Sequence, residues 1–547
     1  MGQLLHNGLV CSEDSLSTEC AVDSSKPMPV PYLRNRPAVI PINTGRQLMV
    51  DDFLIEETTL TRRFHQAIKH GSAVTVPVCK DKDGNDLPLR VPKSGGVWWD
   101  TADQRYKMWK GSALDYLTSL DGVEWSDPGL VGTIGNAKPC PWKGTASDTV
   151  LIDEDDVPSR RYKCYVRLGI GTLKKTYPEL VIPESFPKGG WRGWQVGFVM
   201  TSPDGVHWSE PIATTPVGDR STMFYDPFRK KWVSSIRNYS HNPMRRVRNY
   251  FSSDEFLAAQ WGEGEAPFWM KADERDLPDP RIGDDPHLYN VDAVAYESLM
   301  LGSFEILLGP HNDICAQGGF PKTTDIKLGF SRDGIHWDRP CREAFIPSSR
   351  KPDTWDRGYV QSIGGVCVVS DDELRFYYSG LMGDTSNKGE SEAAGSGMYS
   401  NQGIGFASLR RDGFASMEST ADAGSLTTRP LIFDGRFLFV NADVPEGALT
   451  VELLDEAGAV ISPFDAAHCR PICTDSTCIQ VEWEGGADLS AHQEKPIRLR
   501  FILTSGSLYS FWISPNKTGA SRGYLAAGCK DRNAYIDAPV CRSGRST

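Results

Sequence analysis

The string Ser-x-Asp-Gly-x-x-Trp occurs three times, starting at Ser119, Ser202 and Ser331, and no other feature of the sequence limits the fold as much. An Asp-Gly pair closes a tight turn because glycine accepts φ > 0. The residues before each copy, 113–117, 194–200 and 326–330, are strand-like, so each copy reads as strand, turn, Trp. Two weaker relatives, around Asp254 and at Asp412-Gly413, extend the series. Upstream, apolar runs stop at an acid (Asp100, Asp153, Asp226 and Glu297) and lead into a second strand-like run such as Tyr106-Lys-Met-Trp109. The chain is thus expected to be all-β, with five units of about four antiparallel strands between residues 46 and 423, a five-bladed β-propeller. Asp121, Asp204 and Asp333 are expected to hold their turns through backbone hydrogen bonds, and Trp125, Trp208 and Trp337 to pack between blades.

The apolar segment from Arg46 to Ile55 reads as the first strand of the ring, and residues 1–43 as a poorly structured arm. Polar insertions at about 78–94, 171–193, 262–288 and 383–402 fall where a propeller places its rim loops. Beyond residue 424 the texture changes to shorter alternating strands, which predicts an accessory β-sandwich over 424–527 and a tail over 528–547. Gly and Pro number 52 and 36, and aromatic residues make up 10%, in keeping with a turn-rich β protein.

A net charge of −12 offers no broad basic field, which argues against nucleic acid as a partner. No apolar run approaches the ~20 residues needed to cross a bilayer, so no membrane partner is expected. No basic start followed by an apolar block opens the sequence, so a cytoplasmic location is expected, with secretion as the alternative. Thirteen scattered cysteines imply no disulfide framework.

The repeated turns, the segment Arg46-Gln-Leu-Met-Val-Asp-Asp-Phe-Leu-Ile-Glu56, and the segments from Gly218 to Trp232 and from Tyr289 to Ser298 resemble the propeller glycoside hydrolases of families 32, 43 and 68 and their glycosyl-hydrolase-like relatives. The resemblance spans about residues 46–515 and implies an enzyme that hydrolyses glycosidic bonds, with three or four carboxylates and an arginine around the central axis. Inner strands of such a ring begin near the axis. Reading five residues back from each terminal acid gives Gly95, Asp148, Ser221 and Asp292, with Asp219-Arg220 just before the third. The resembled families carry a nucleophile or base in the first ring strand, which points to Asp52, with Asp51 as its fallback. They carry a Glu acid on a middle blade, which points to Glu297. The candidate catalytic set is therefore Asp52, Asp148, Asp219, Asp292 and Glu297. An odd separation puts Asp292 and Glu297 on opposite faces of a regular strand, and Asp292 is the better acid if Glu297 marks the strand's end.

Arg220 is expected to orient a carboxylate or hold a sugar hydroxyl, Trp99 and Tyr289 to stack on sugar faces, and His311 and Gln361 to donate to hydroxyls. Metalloprotease, nucleophile-elbow, dinucleotide and P-loop strings are absent. His468, Cys469, Cys473 and Cys478 lack paired zinc spacing. No cofactor is expected, with a structural cation on the axis left open. Two alternatives stay open: phosphorolysis, using one acid and basic groups such as Arg220, Arg245, Arg246 and Arg248, and a sugar-binding propeller without catalysis.

Overall fold

The computed structural model describes residues 2–538 except 13–15, 17–20, 72–73, 75–90, 93, 110–113, 115, 131, 136–137, 140–146, 170–194, 241–243, 263, 312, 316–320, 384–400 and 421; the side chains at 138–139, 147–148 and 169 are likewise excluded. The protein is nearly all β. Most of the expected insertions at 78–94, 171–193 and 383–402 lie outside the described residues.

Three successive four-stranded antiparallel sheets begin with the strands Val97–Asp100, Ser147–Ile152 and Thr222–Asp226. A ten-stranded sheet follows, made of two stacks that begin with His287–Glu297 and with Tyr359–Ser362 plus Val368–Ser370. The first strands of neighbouring sheets touch in chain order, and Val368–Ser370 returns to Val97–Asp100, so the sheets close into a ring. Hydrogen bonds fix that order. The Met223 N–H donates to Thr149 Oγ1 at 3.2 Å, Thr222 Oγ1 donates to the Val291 carbonyl at 2.6 Å, and the Val97 N–H donates to the Gly364 carbonyl at 3.2 Å. These first strands are buried on both faces, which explains why they read as unbroken apolar runs.

The repeated turns behave as expected. Asp121 Oδ1 accepts from the N–H groups of Val123 and Glu124, and Asp204 in the second sheet and Asp333 in the fourth stack repeat the pattern. Glycine is required after each Asp, with φ of +78°, +79° and +73° at Gly122, Gly205 and Gly334. The turns also join sheets: Trp109 Nε1 donates to the Gly205 carbonyl at 3.2 Å, and Tyr377 Oη to the Gly122 carbonyl at 2.8 Å.

Two six-stranded sheets, antiparallel apart from the parallel pair of Ile40–Pro41 with Leu431–Ile432, form a second layer with a shared core, where Phe501 and Phe511 lie 5.2 Å apart. This layer corrects the expectation for the N-terminal third of the chain. Gln47–Leu48, Ile55–Thr58 and Thr61–Phe64 pair inside it with Gly506–Ser514, Gly424–Thr428 and Ala415–Ser419, so the segment around Asp51-Asp52 is not a ring strand. The N-terminal strand of the ring is instead Ile68–Lys69, the outer edge of the last stack. An apolar alternating run satisfies either partner equally, which is why the sequence did not separate them.

The ends of the chain are also structured. Within 1–43, Gln3–Leu4 pairs with Val10–Cys11, and Leu5, Leu9, Tyr32 and Ile40 are buried. Residues assigned to the sandwich's end and the tail return to the ring: Tyr524–Cys529 lies between the two stacks, pairing Leu525 with Tyr296 and Ala526 with Val368. Asn533 Oδ1 accepts from Trp99 Nε1 at 2.8 Å, and Tyr535 Oη donates to the Trp99 carbonyl.

Candidate functional site

The strand His287–Glu297 runs through the ring and has polar side chains at both ends. At its far end, Glu297 accepts from the Arg46 N–H and from Arg411 Nη2, each at 3.0 Å, and from Ser521 Oγ at 2.7 Å. Asp412 and Asp537 complete this buried cluster, in which Arg411 lies 3.4 Å from Asp537. Burial raises the Glu297 pKa against the pull of Arg411 and Arg46. Glu297 thus ties the ring to the second layer. It lies five residues, roughly 16 Å, along the strand from Asp292.

Asp52 is also displaced from the expected centre. Its side chain is 63% exposed and pairs with Arg62 at 2.5 Å, while its buried neighbour Asp51 is held by Arg332 at 2.8 Å. Trp99 is buried against Tyr106 and the C-terminal segment, so it offers no sugar platform. His311 is exposed and paired with Asp313, at the rim of a side pocket.

The middle of the strand and the half that precedes it gather the remaining candidates. Asp292 is buried and accepts through Oδ2 from Ser362 Oγ at 2.5 Å and from Asn290 Nδ2 at 2.8 Å. Asn290 also donates to Ser94 Oγ at 3.2 Å, so the starts of the first, fourth and fifth inner strands meet here. Burial raises the Asp292 pKa more than Arg220 lowers it. Gln361, next to Ser362, is buried and paired across the stack with Ser379.

Arg220 enters from the third sheet and donates through Nη2 to Glu305 Oε2 at 2.9 Å. Its φ of +60° is uncommon for a side chain this large, and its Nε and Nη1 have no partner among the described residues. Burial opposes its charge, but Glu305 and Asp292 hold it above the ordinary arginine value. Burial pushes Glu305 up to about 7, with Arg220 only partly offsetting it. The sequence reading missed Glu305, although it is the sole charge in the strand Leu299–Gly309.

Asp219, next to Arg220 in sequence, pairs with Arg237 at 2.9 Å, and Tyr289 Oη donates to it at 3.4 Å. Burial would raise its pKa, but Arg237, Arg167, Arg246 and Arg248 together hold it below the usual carboxylate value. Arg248 is fully buried against the carbonyls of Arg220, Ser235 and Tyr289. Burial and then Arg237 and Arg220 lower its pKa to about 9. Asp148 sits on the second inner strand at a register shift between Ser147 and Thr149; its side chain lies outside the described residues.

A larger cavity, about 450 Å3, lies between Trp98, Tyr225, Trp232, Tyr524 and Tyr535, against the C-terminal segment. Of its acids Asp153, Glu154 and Asp155, the first is engaged by Lys163 at 3.3 Å and the second by Arg161 at 2.6 Å. Among the described residues no group of three His, Cys, Asp or Glu is placed to hold a metal ion, and no helix is long and apolar enough to cross a membrane.

No protein-family model matches the chain, and no curated protein matches it. Among solved structures it is similar to an N-acetylgalactosamine deacetylase from F. plautii in complex with blood group B trisaccharide, at 16% identity over 64% of this chain and 96% of that one, with a TM-score of 0.38. It is also similar to an exo-β-1,3-galactanase from Phanerochaete chrysosporium, at 10% identity over 82% and 99% with a TM-score of 0.34. A third is a family 43 arabinoxylan arabinofuranohydrolase from Bacillus subtilis, at 10% over 88% and 97% with a TM-score of 0.27. At such identities and scores these likenesses fix no residue and no reaction.

Proposed function

We propose that the protein is a glycoside hydrolase whose ring is a five-bladed propeller, with the second layer as an accessory sandwich, and whose acid–base pair is Asp292 and Asp219. The observation that carries this reading is the opposed titration of carboxyls around buried Arg248, which hydrogen-bonds the Arg220 carbonyl: Asp219 is held ionised, while Asp292 and Glu305 are pushed toward the protonated form. Environments that separate carboxyl pKa values in this way assign acid and base roles.

In this reading Asp292 gives its proton to the leaving glycosidic oxygen, and Asp219 takes a proton from the attacking water. Ser362, Asn290 and Ser94 fix the position of the Asp292 carboxyl. Glu305 is a positioning residue that fixes Arg220 beside Asp292. The partner is a carbohydrate, with Tyr289 as its most accessible aromatic neighbour, and the reaction needs no organic cofactor.

The test is a screen of aryl glycosides and natural oligosaccharides, with and without phosphate, on the wild type and on Asp292→Asn, Asp219→Asn and Asp148→Asn. Turnover by the wild type, with a loss of about 100-fold or more in Asp292→Asn, is expected. Turnover that requires phosphate would replace hydrolysis with phosphorolysis. Wild-type silence across the panel would leave a binding protein.

A further inference from the structure

Beside Asp219 and Tyr289 the mouth of the ring opens into a side pocket of about 260 Å3, lined by Arg246, Asp284, Asp285, His287, His311 and Lys322 with Leu307, Gly309 and Pro310. This is smaller than the ~300–1,000 Å3 of sites that hold drug-sized ligands, so it suits a single chemical group. Three nitrogen-bearing side chains converge on it. Arg246 stacks over Tyr289, 5.5 Å from the ring centre, and donates through Nη1 to His287 Nδ1 at 2.9 Å. That bond leaves the hydrogen of a neutral His287 on Nε2 as a second donor.

Lys322 is the third. It is only 6% exposed, and among the described residues it has neither a hydrogen bond nor a carboxylate within ion-pair distance. The lining acids do not serve it: Arg245 takes Asp285 at 2.6 Å, and Asp284 packs against Gly309. With Arg245 paired to Asp285, the pocket keeps Arg246 and Lys322 against Asp284 and against Asp219, which is itself paired with Arg237 at 2.9 Å. A buried ammonium without a counter-charge is costly unless a ligand supplies the charge.

We infer that this pocket is an oxyanion subsite and that the substrate is an acidic saccharide whose anionic group is bound by Lys322, Arg246 and His287. The claim rests on the saccharide reading above and gives it a substrate class. The pKa values fit this arrangement. Burial, followed by Arg246, lowers Lys322 to about 8, and burial with Arg246 and Arg245 lowers His287 to about 4. Both shifts reflect positive charge that the described protein groups leave uncompensated. A bound anion would relieve them, so Lys322 is charged and His287 neutral in the bound state.

The test is calorimetric binding of galacturonic and glucuronic acid, galactose, glucose and inorganic phosphate to the wild type, Lys322→Met, Lys322→Arg and Arg246→Gln. The uronates are expected to bind about tenfold or more tighter than the matching neutral sugars. Lys322→Met and Arg246→Gln should abolish that preference, and Lys322→Arg should retain it. Equal binding of uronates and neutral sugars by the wild type would overturn the inference, whatever the folding of the variants. Saturable binding of phosphate without uronate preference would overturn it in favour of a phosphate site. Asp292→Asn separates this claim from the hydrolytic one: uronate binding retained without turnover in any variant or the wild type sinks hydrolysis alone.

Discussion

Asp52, Glu297 and Asp292 were all candidate acids in the sequence, and their surroundings give them three different fates. Asp52→Asn breaks an exposed pair with Arg62, so stability should change by no more than ~1 kcal/mol and activity not at all. Glu297→Gln leaves Arg46 and Arg411 buried without their shared counter-charge, and about 3–5 kcal/mol of stability should be lost in denaturant unfolding. Asp292→Asn should lose turnover while keeping its melting temperature within a few degrees. The pH profile of kcat/KM follows from the two shifts. Asp219 must be ionised and its pKa is depressed, so the acid limb lies below the usual carboxylate range. Asp292 must be protonated and its pKa is raised, so activity falls as pH rises through a limb above that range. Glu305→Gln should shift this second limb, because Glu305 holds Arg220 beside Asp292; an unmoved limb would deny it a positioning role. None of this was legible in the sequence, because a carboxyl's pKa depends on burial and on charges that only folding brings beside it, such as Arg237 beside Asp219 and Arg220 beside Asp292 and Glu305.

At the scale of elements, the repeated turn was fully legible. Its Asp acts on its own next residues, and its glycine needs φ > 0, both local properties. What the turn does between sheets was not local. A Cβ at Gly334 would come within 1.9 Å of Asp226 Oδ2, inside the buried Asp226–Arg229 pair, whereas at Gly205 it would meet the Trp109 ring at 2.9 Å. Gly334→Ala should therefore destabilise more than Gly205→Ala, by more than the ~1–3 kcal/mol of backbone strain that both incur; thermal melts of the two variants check the order. Equal losses would mean that strain alone sets the cost.

At the scale of the whole molecule, ring and second layer are interlocked. After the Gln3–Cys11 hairpin the chain enters the second layer at Ile40–Pro41, closes the ring through Ile68–Lys69, circles it, returns to the layer, and finally inserts Tyr524–Cys529 between the ring's last two stacks. Leu525, Ala527 and Cys529 are buried there. Deleting residues 523–547 should thus lower the melting temperature of the ring itself and not merely trim an end. An unchanged transition in calorimetry would show that the ring is complete without the insert.

The sequence by itself determined the β class, the repeat of strand and turn, and the residues that start the inner strands, because these follow from period-two patterning and turn chemistry within a few residues. The tertiary structure decided which acids meet. The same alternating run fits any sheet edge, so only packing could send Arg46 to Ile55 to the second layer, place Glu297 in a structural ion cluster, and set Glu305 and Lys322 beside the arginines of the mouth. Side-chain charge is printed in the chain, but the desolvation and the counter-charges that give it a role belong to the folded ring.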